Sequence, residues 1–200
     1  MNDIHAQRFG GIQRLYGLES SQKLWAAHVC IVGIGGVGSW AAEAIARTGI
    51  GTITLIDLDD ICTTNTNRQI QALVTTVGQM KTDVMAERIR AINPDVQVHL
   101  IEDFLTADTL EKYLTPNFNV VIDCIDNVRS KAAIISACKR RKIPLVTVGG
   151  AGGQTDPSRI LVADLAKSQN DPLLAKVKTT LRRDYGFPKG EKSKFGVECI

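Results

Sequence analysis

Ile31-Val32-Gly33-Ile34-Gly35-Gly36-Val37-Gly38 is the stretch whose reading decides the fold. An apolar run from His28 to Val32 reads as a buried strand, and the glycines after it allow backbone N–H groups to approach an anion. An alanine-rich segment from Ser39 to Thr48, closed by Gly49, then reads as a helix whose positive end faces those glycines. Asp57 lies 19 residues after Gly38, just past a second strand-like run from Thr52 to Ile56. An acidic side chain there is placed to bind ribose hydroxyls. Gly33, Gly35, Gly36, Gly38 and Asp57 therefore form a candidate nucleotide site. These residues leave open which nucleotide, since NAD-dependent oxidoreductases and ATP-using enzymes share the pattern.

Working outward, short apolar runs at Val96 to Ile101, Phe118 to Ile122, Leu145 to Val148 and Arg159 to Ala163 alternate with helical segments, and another strand begins at Phe195 to Val197. The alternation predicts a Rossmann-like, doubly wound α/β fold, a mostly parallel sheet with helices on both faces. Helices are expected over Gln79 to Ile92, stopping before Pro94, over Arg129 to Lys142, and over Pro172 to Tyr185 with Asp171 as N-cap and Gly186 as the stop. Gly149-Gly150-Ala151-Gly152-Gly153 is expected to be a loop.

The chain has 200 residues, 44% of them hydrophobic, which predicts one domain over residues 1–200 with an ample core. No apolar run approaches the roughly 18 residues of a membrane span and no signal-peptide core is present, so a cytoplasmic location is expected. The five cysteines (30, 62, 124, 138, 199) include no CxxC pair, which argues against a zinc knuckle or a disulfide framework. Cys30 and Cys124 read as core thiols, Cys199 as a structural or unpaired cysteine, and His5, His28 and His99 as structural. The net charge is +3, with seven Lys or Arg between Lys176 and Lys194 and a second cluster at Lys139-Arg140-Arg141-Lys142. Such clusters attract polyanions, although the second also suits a helix C-terminus.

The residues beyond Asp57 separate the nucleotides. An ATP-cleaving site must neutralise a triphosphate, whereas an NAD site needs no further cations. The polar loop Thr64-Asn65-Thr66-Asn67-Arg68-Gln69 supplies Asn65 and Arg68. Lys81 sits in the first turn of a helix, where the dipole repels a cation unless an anion is near. Val120-Val121-Ile122-Asp123-Cys124-Ile125-Asp126-Asn127 then carries two aspartates to the carboxyl end of a strand, where α/β sheets bind ligands. Asp126 can hold Mg²⁺ with water and phosphate. Its bland alternative is to cap the helix near Arg129.

Taken together, Gly33-x-Gly35-Gly36-x-Gly38, Asp57-x-Asp59, Asn65-x-x-Arg68-Gln69, Lys81 and Asp123-Cys124-x-Asp126-Asn127 resemble the ubiquitin-activating-like adenylating enzymes. The resemblance implies ATP and Mg²⁺ as cofactors, with a monovalent cation as a further one. It makes Asp57 the ribose ligand, Asn65, Arg68 and Lys81 phosphate ligands, and Asp126 the magnesium ligand, and it adds Asp59, Gln69 and Asn127 to the nucleotide site. Arg68, Lys81 and Asp126 become the catalytic set. It also implies a homodimer in which an N-terminal Arg-aromatic-x-Arg reaches the neighbour's ATP. Here Arg8-Phe9-Gly10-Gly11 keeps the first arginine, and Arg14 is the candidate for the second.

Within that family, the run from Arg8 to Gly17, the glycine loop at 149–153 and Arg182-Arg183-x-x-Gly186 look most like the branch that dehydrates threonylcarbamoyladenosine in tRNA. That likeness implies a tRNA substrate, a sulfur-transfer protein of the cysteine desulfurase system as a further partner, and a chain that is C-terminally incomplete for the family. Arg182, Arg183, Lys189, Lys192 and Lys194 are the candidate tRNA contacts. The alternatives are an adenylyltransferase acting on the C-terminus of a ubiquitin-like or sulfur-carrier protein, an NAD-dependent oxidoreductase, and a non-enzymatic nucleotide-binding adaptor.

Overall fold

The computed structural model describes residues 3–115, 117–190 and 192–200, so Met1, Asn2, Pro116 and Glu191 lie outside the described residues. The chain divides into two compact units, Met1–Asp103 and Phe104–Ile200.

In the first unit, β1 (His28–Val32), β2 (Thr52–Ile56) and β3 (Gln97–Ile101) run parallel in the order β3-β2-β1. The register pairs His28 with Thr52 and Thr52 with Gln97. Parallel strands require crossovers, supplied by α3 (Gly38–Arg47) between β1 and β2 and by α4 (Lys81–Ile92) before β3. Val29, Cys30 and Ile31 of β1 and Ile53, Leu55 and Ile56 of β2 are buried, as expected of strands covered on both sides. α4 ends at Ile92 because Asn93, preceding Pro94, is forced into extended backbone (φ −132°). The helix starts at Lys81 rather than at Gln79, because Met80 is held in an antiparallel bridge with Asp60.

Two helices at the N-terminus, α1 (Asp3–Tyr16) and α2 (Leu18–Ala26), go beyond the elements expected from the sequence. α1 is kinked at Phe9 (φ −109°, ψ 15°), directly before Gly10-Gly11. His5 anchors it, with its ring 4.7 Å from that of Phe9 and 4.1 Å from that of Trp25. Burial lowers the His5 pKa below the usual histidine value.

The second unit contains α5 (Leu110–Tyr113), β4 (Val120–Asp123), α6 (Val128–Arg141), β5 (Leu145–Thr147), β6 (Ala163–Asp164), α7 (Pro172–Asp184) and β7 (Glu198–Cys199). Its strands are ordered β4-β5-β7-β6, parallel except for the β6–β7 pair. Its core joins Ala132 and Ile135 of α6 to Leu174, Val177 and Leu181 of α7, with Phe195, Val197 and Cys199. Two expected strands are displaced. Ile160, Leu161 and Val162 lie exposed after a 3₁₀ turn at Pro157–Arg159, leaving β6 only two residues. Phe195 and Val197 fill the core as irregular chain, and pairing begins at Glu198. α7 starts as expected: Asp171 Oδ1 accepts from Leu174 N at 2.6 Å, while its Oδ2 takes Gly150 N at 2.8 Å. A Cβ on Gly149 would lie 2.4 Å from that same Oδ2, so the loop at 149–153 needs glycine at this position.

Candidate functional site

The nucleotide elements of the first unit converge on the loop after β1. Gly33 leaves the strand at φ 86°, a conformation that favours glycine, and its N–H bonds to Ile56 O at 2.9 Å. Asp57 does not stand free at the end of β2. Its Oδ2 accepts from Ile34 N at 2.5 Å and its Oδ1 from Asp59 N at 2.9 Å, so the carboxylate braces the glycine loop. Gln71 holds the other side of the same residue, donating from Nε2 to Ile34 O at 2.9 Å and to Gln69 Oε1 at 3.2 Å. Beyond Ile34, no hydrogen bond is made by Gly35 N, Gly36 N or Val37 N among the described residues. α3 has no side-chain cap and no acidic residue in its first turn. The result is a row of unspent donors at a helix N-terminus, with open space above Gly35.

The loop cations sit beside this row. A Cβ on Gly36 would lie 3.3 Å from Arg68 Cδ, so the absence of a side chain there admits the arginine. Trp40 Nε1 donates to Arg68 O at 2.9 Å, and the guanidinium of Arg68 donates to Thr64 O at 2.9 Å and Asn67 Oδ1 at 3.0 Å while remaining exposed. Asn65 is buried and its Oδ1 closes a turn by accepting from Cys62 N at 3.0 Å. Lys81 is 5% exposed, which rules out a solvated surface lysine. Its Nζ lies 2.6 Å from Asp59 Oδ2 and 4.0 Å from Asp57 Oδ1, so these carboxylates are the anions its place in the first turn requires. Arg8 lies in α1, 4.0 Å from Asp95 of the same chain.

In the second unit the connection from β4 to α6 is built around a buried ion pair. Asp123 and Lys131 are both fully buried, with Oδ2 and Nζ 3.0 Å apart. Lys131 Nζ also donates to Asp123 O at 3.1 Å and Ile125 O at 2.9 Å, and Thr147 Oγ1 donates to Asp123 Oδ2 at 2.7 Å. Burial pushes the Asp123 pKa up, and Lys131 opposes that shift. Asp123 thus fixes the loop, as a supporting group would. Asn127, not Asp126, caps α6: its Oδ1 accepts from Arg129 N and Ser130 N, each at 3.1 Å. Asp126 is exposed and makes no hydrogen bond among the described residues. No group of three or more metal-ligating side chains occurs among the described residues. A lone carboxylate on a braced loop suits Mg²⁺, which takes one or two carboxylates and completes its shell with phosphate and water.

The basic residues divide by role. Arg141 donates to Leu110 O and Leu114 O and pairs with Glu111, and Lys139 donates to Gly196 O at 3.1 Å. Those two members of the 139–142 cluster therefore secure the helix end. Arg182 packs over the Phe195 ring at 5.3 Å, and Arg183 forks onto Asp184 at 2.6 and 2.8 Å. Lys189, Lys192 and Lys194 are exposed. Among the cysteines, burial pushes the Cys124 and Cys138 thiols up to about 12, Cys199 is buried with a raised pKa, and Cys62 is exposed.

Sequence reasoning missed Gln71 and Lys131. Gln71 lies two residues after the Arg68-Gln69 pair, and nothing local marks its bond to Ile34. Lys131 had a signal: a lysine on the otherwise apolar stripe of Ala132, Ile134 and Ile135 demands a buried partner.

Comparison with known proteins agrees with this geometry. Residues 10–185 match the model of the ThiF family. The chain is 58% identical to the tRNA threonylcarbamoyladenosine dehydratase of Escherichia coli over 100% of its own length and 75% of that protein. A crystal structure of that enzyme in complex with ATP matches with a TM-score of 0.97, covering 99% of this chain and 82% of the other. The sulfur carrier protein ThiS adenylyltransferase of Escherichia coli is 37% identical over 68% of this chain and 55% of its own length. The Rossmann-like α/β fold with mostly parallel strands is thereby shown, and with it the lineage: this chain belongs to the ThiF family.

Proposed function

We propose that this protein is an ATP-dependent tRNA threonylcarbamoyladenosine dehydratase. The observation that carries the reading is its 58% identity, along the whole chain, to an enzyme of that name whose crystal structure holds ATP. The site supplies the chemistry such an enzyme needs.

A carboxylate resists attack because its charge is delocalised and oxide is a poor leaving group. The threonyl carboxylate of the modified adenosine attacks the α-phosphorus of ATP and pyrophosphate leaves. The carbamoyl oxygen of the same substituent then attacks the acyl carbon, AMP departs with the activated oxygen, a carbamoyl N–H gives up its proton to solvent, and a five-membered ring closes. The net change in the nucleoside is loss of one water. No enzyme thiol takes part, in keeping with the weakly acidic thiols at 124, 138 and 199.

The free N–H groups of Gly35, Gly36 and Val37 receive phosphate oxygens. Arg68 is exposed beside them and turns its guanidinium from Thr64 O to the triphosphate. Lys81 is held ready by Asp59, and exchanges that partner for phosphate charge when the nucleotide arrives. Asp57 keeps a second lone pair on each oxygen for ribose hydroxyls while it braces Ile34. Asn65 and Gln69 shape the Arg68 loop, and Asn127 orients the loop carrying Asp126 through its cap. Asp126 is the protein ligand for Mg²⁺, which supplies neutralisation of phosphate charge when bound.

The active assembly is a homodimer to which Arg8 contributes across the interface. At 4.0 Å, with both groups about a third exposed, the Arg8–Asp95 pair is weak enough to exchange. A tRNA substrate supports a cytoplasmic location, and no helix among the described residues is long and apolar enough to cross a membrane. The reading is tested by exchange of labelled pyrophosphate into ATP. Exchange should require tRNA carrying threonylcarbamoyladenosine; exchange driven instead by a sulfur-carrier protein, with none on the tRNA, would favour the adenylyltransferase.

A further inference from the structure

The second unit has an open surface pocket of about 340 Å³, at the small end of the ligand-site range of roughly 300–1,000 Å³, in which Arg183 is the one lining residue given a role above, as a candidate tRNA contact. Arg129 and Ser130 line it from the first turn of α6, and Thr180, Arg183, Asp184 and Tyr185 line it from the end of α7. Asp108 lines it as well.

Three features limit what this pocket can hold. Arg129 is a cation in the first turn of a helix, where the dipole disfavours it; its guanidinium makes no direct salt bridge among the described residues, although it is near enough to Asp184 to help lower that carboxyl's pKa. The helix-end N–H groups of Arg129 and Ser130 are already capped by Asn127. An anion here is therefore held by side chains, with the Ser130 and Thr180 hydroxyls as further donors. The charge of Arg183 is spent on Asp184, whose pKa that hydrogen bond holds below the usual carboxylate value. One arginine without a direct salt bridge, a planar Arg–Asp fork, a second aspartate at 108 and a tyrosine ring make a poor polyphosphate site. They match one unpaired nucleotide, with its phosphate on the arginine and its base against the flat groups, as proteins read single-stranded RNA.

We infer that this pocket seats an unpaired nucleotide of the tRNA substrate, adjacent to the modified adenosine, with its phosphate on Arg129 and its base against Tyr185 and the Arg183–Asp184 fork. The inference rests on the tRNA reading above. Arg129 lies three residues beyond Asp126, so a strand anchored there delivers its neighbour to the loop that carries the metal ligand.

The test is filter binding of tRNA carrying threonylcarbamoyladenosine to wild type, Arg129→Ala, Arg129→Lys and Thr180→Val, over a series of salt concentrations, with ATP affinity measured in parallel. Arg129→Ala should weaken tRNA binding about tenfold, and its log–log salt slope should be shallower by about 0.7, the value of one single-strand phosphate contact. Arg129→Lys should restore the slope and only part of the affinity. Thr180→Val, a near-isosteric change, should weaken tRNA binding without altering the slope. ATP affinity should not move in any variant. Wild-type tRNA affinity and slope in Arg129→Ala would overturn the inference, as would an equal loss of ATP affinity. Failure of the wild-type enzyme to bind the modified tRNA would instead overturn the functional reading.

Discussion

Lys131 Nζ and Asp123 Oδ2 lie 3.0 Å apart with both side chains wholly shielded from solvent, and the same ammonium ties down Asp123 O and Ile125 O. One lysine thus holds the loop that presents Asp126. Removing one partner of such a pair strands a buried charge, which costs about 3–5 kcal/mol. Lys131→Met should lower the urea-unfolding free energy by that amount, and adding Asp123→Asn should recover much of it. A loss under about 1 kcal/mol in the single variant would contradict the pair's structural role.

Arg68 and Asp126 are exposed and contribute little packing, so their removal separates catalysis from stability. Arg68→Ala should reduce tRNA-dependent AMP release by about 10² to 10³, as loss of one well-placed charge donor does, with an unchanged melting temperature. Asp126→Ala should lose activity similarly and require more Mg²⁺ for what remains, and chelation of divalent ions should stop the wild-type enzyme. Unimpaired turnover in both variants would remove them from the site.

The thiols should be dispensable. At pH 7.5 an alkylating reagent should modify exposed Cys62 and spare Cys124 and Cys138, whose thiols are pushed up to about 12. Cys62→Ser should turn over at the wild-type rate. Inactivation by alkylation that persists in Cys62→Ser would point to a covalent thiol intermediate.

His5 and His28 make stability depend on acid. Burial, foremost in both, lowers each pKa below the ordinary 6.5, so the unfolded chain binds protons more readily than the folded one. Stability is then fully present above pH 6.5 and falls as pH drops from 6.5 toward the folded-state values. The melting temperature should decline on that interval, and His5→Phe, which keeps an aromatic ring against Phe9 and Trp25, should flatten part of the decline. An identical slope in the variant would exclude His5 as a source.

The parts of this molecule written in local sequence were legible. The strand, glycines and helix around Gly33 to Gly38, and the stop of α4 before Pro94, arise from short-range patterning and steric rules. What sequence could not show was pairing over distance. Asp57 reads as a ribose ligand, yet its oxygens are first spent on Ile34 N and Asp59 N; Lys81 reads as a phosphate ligand, yet Asp59 already holds it. The exposed run Ile160 to Val162 misled because an apolar triplet looks like a strand wherever it lies. Asn127 makes the cap that is only the alternative reading of Asp126, because either residue type suits an N-cap and only geometry decides.

The central claim is that this enzyme activates and cyclises a carboxylate on tRNA. It is met most directly by incubating the protein with ATP, Mg²⁺ and tRNA bearing threonylcarbamoyladenosine, then weighing the released nucleoside by mass spectrometry. The account predicts a nucleoside lighter by one water, formed with one AMP per ring closed, and no change when ATP is omitted. An unchanged nucleoside mass in the presence of bound ATP and modified tRNA would contradict it.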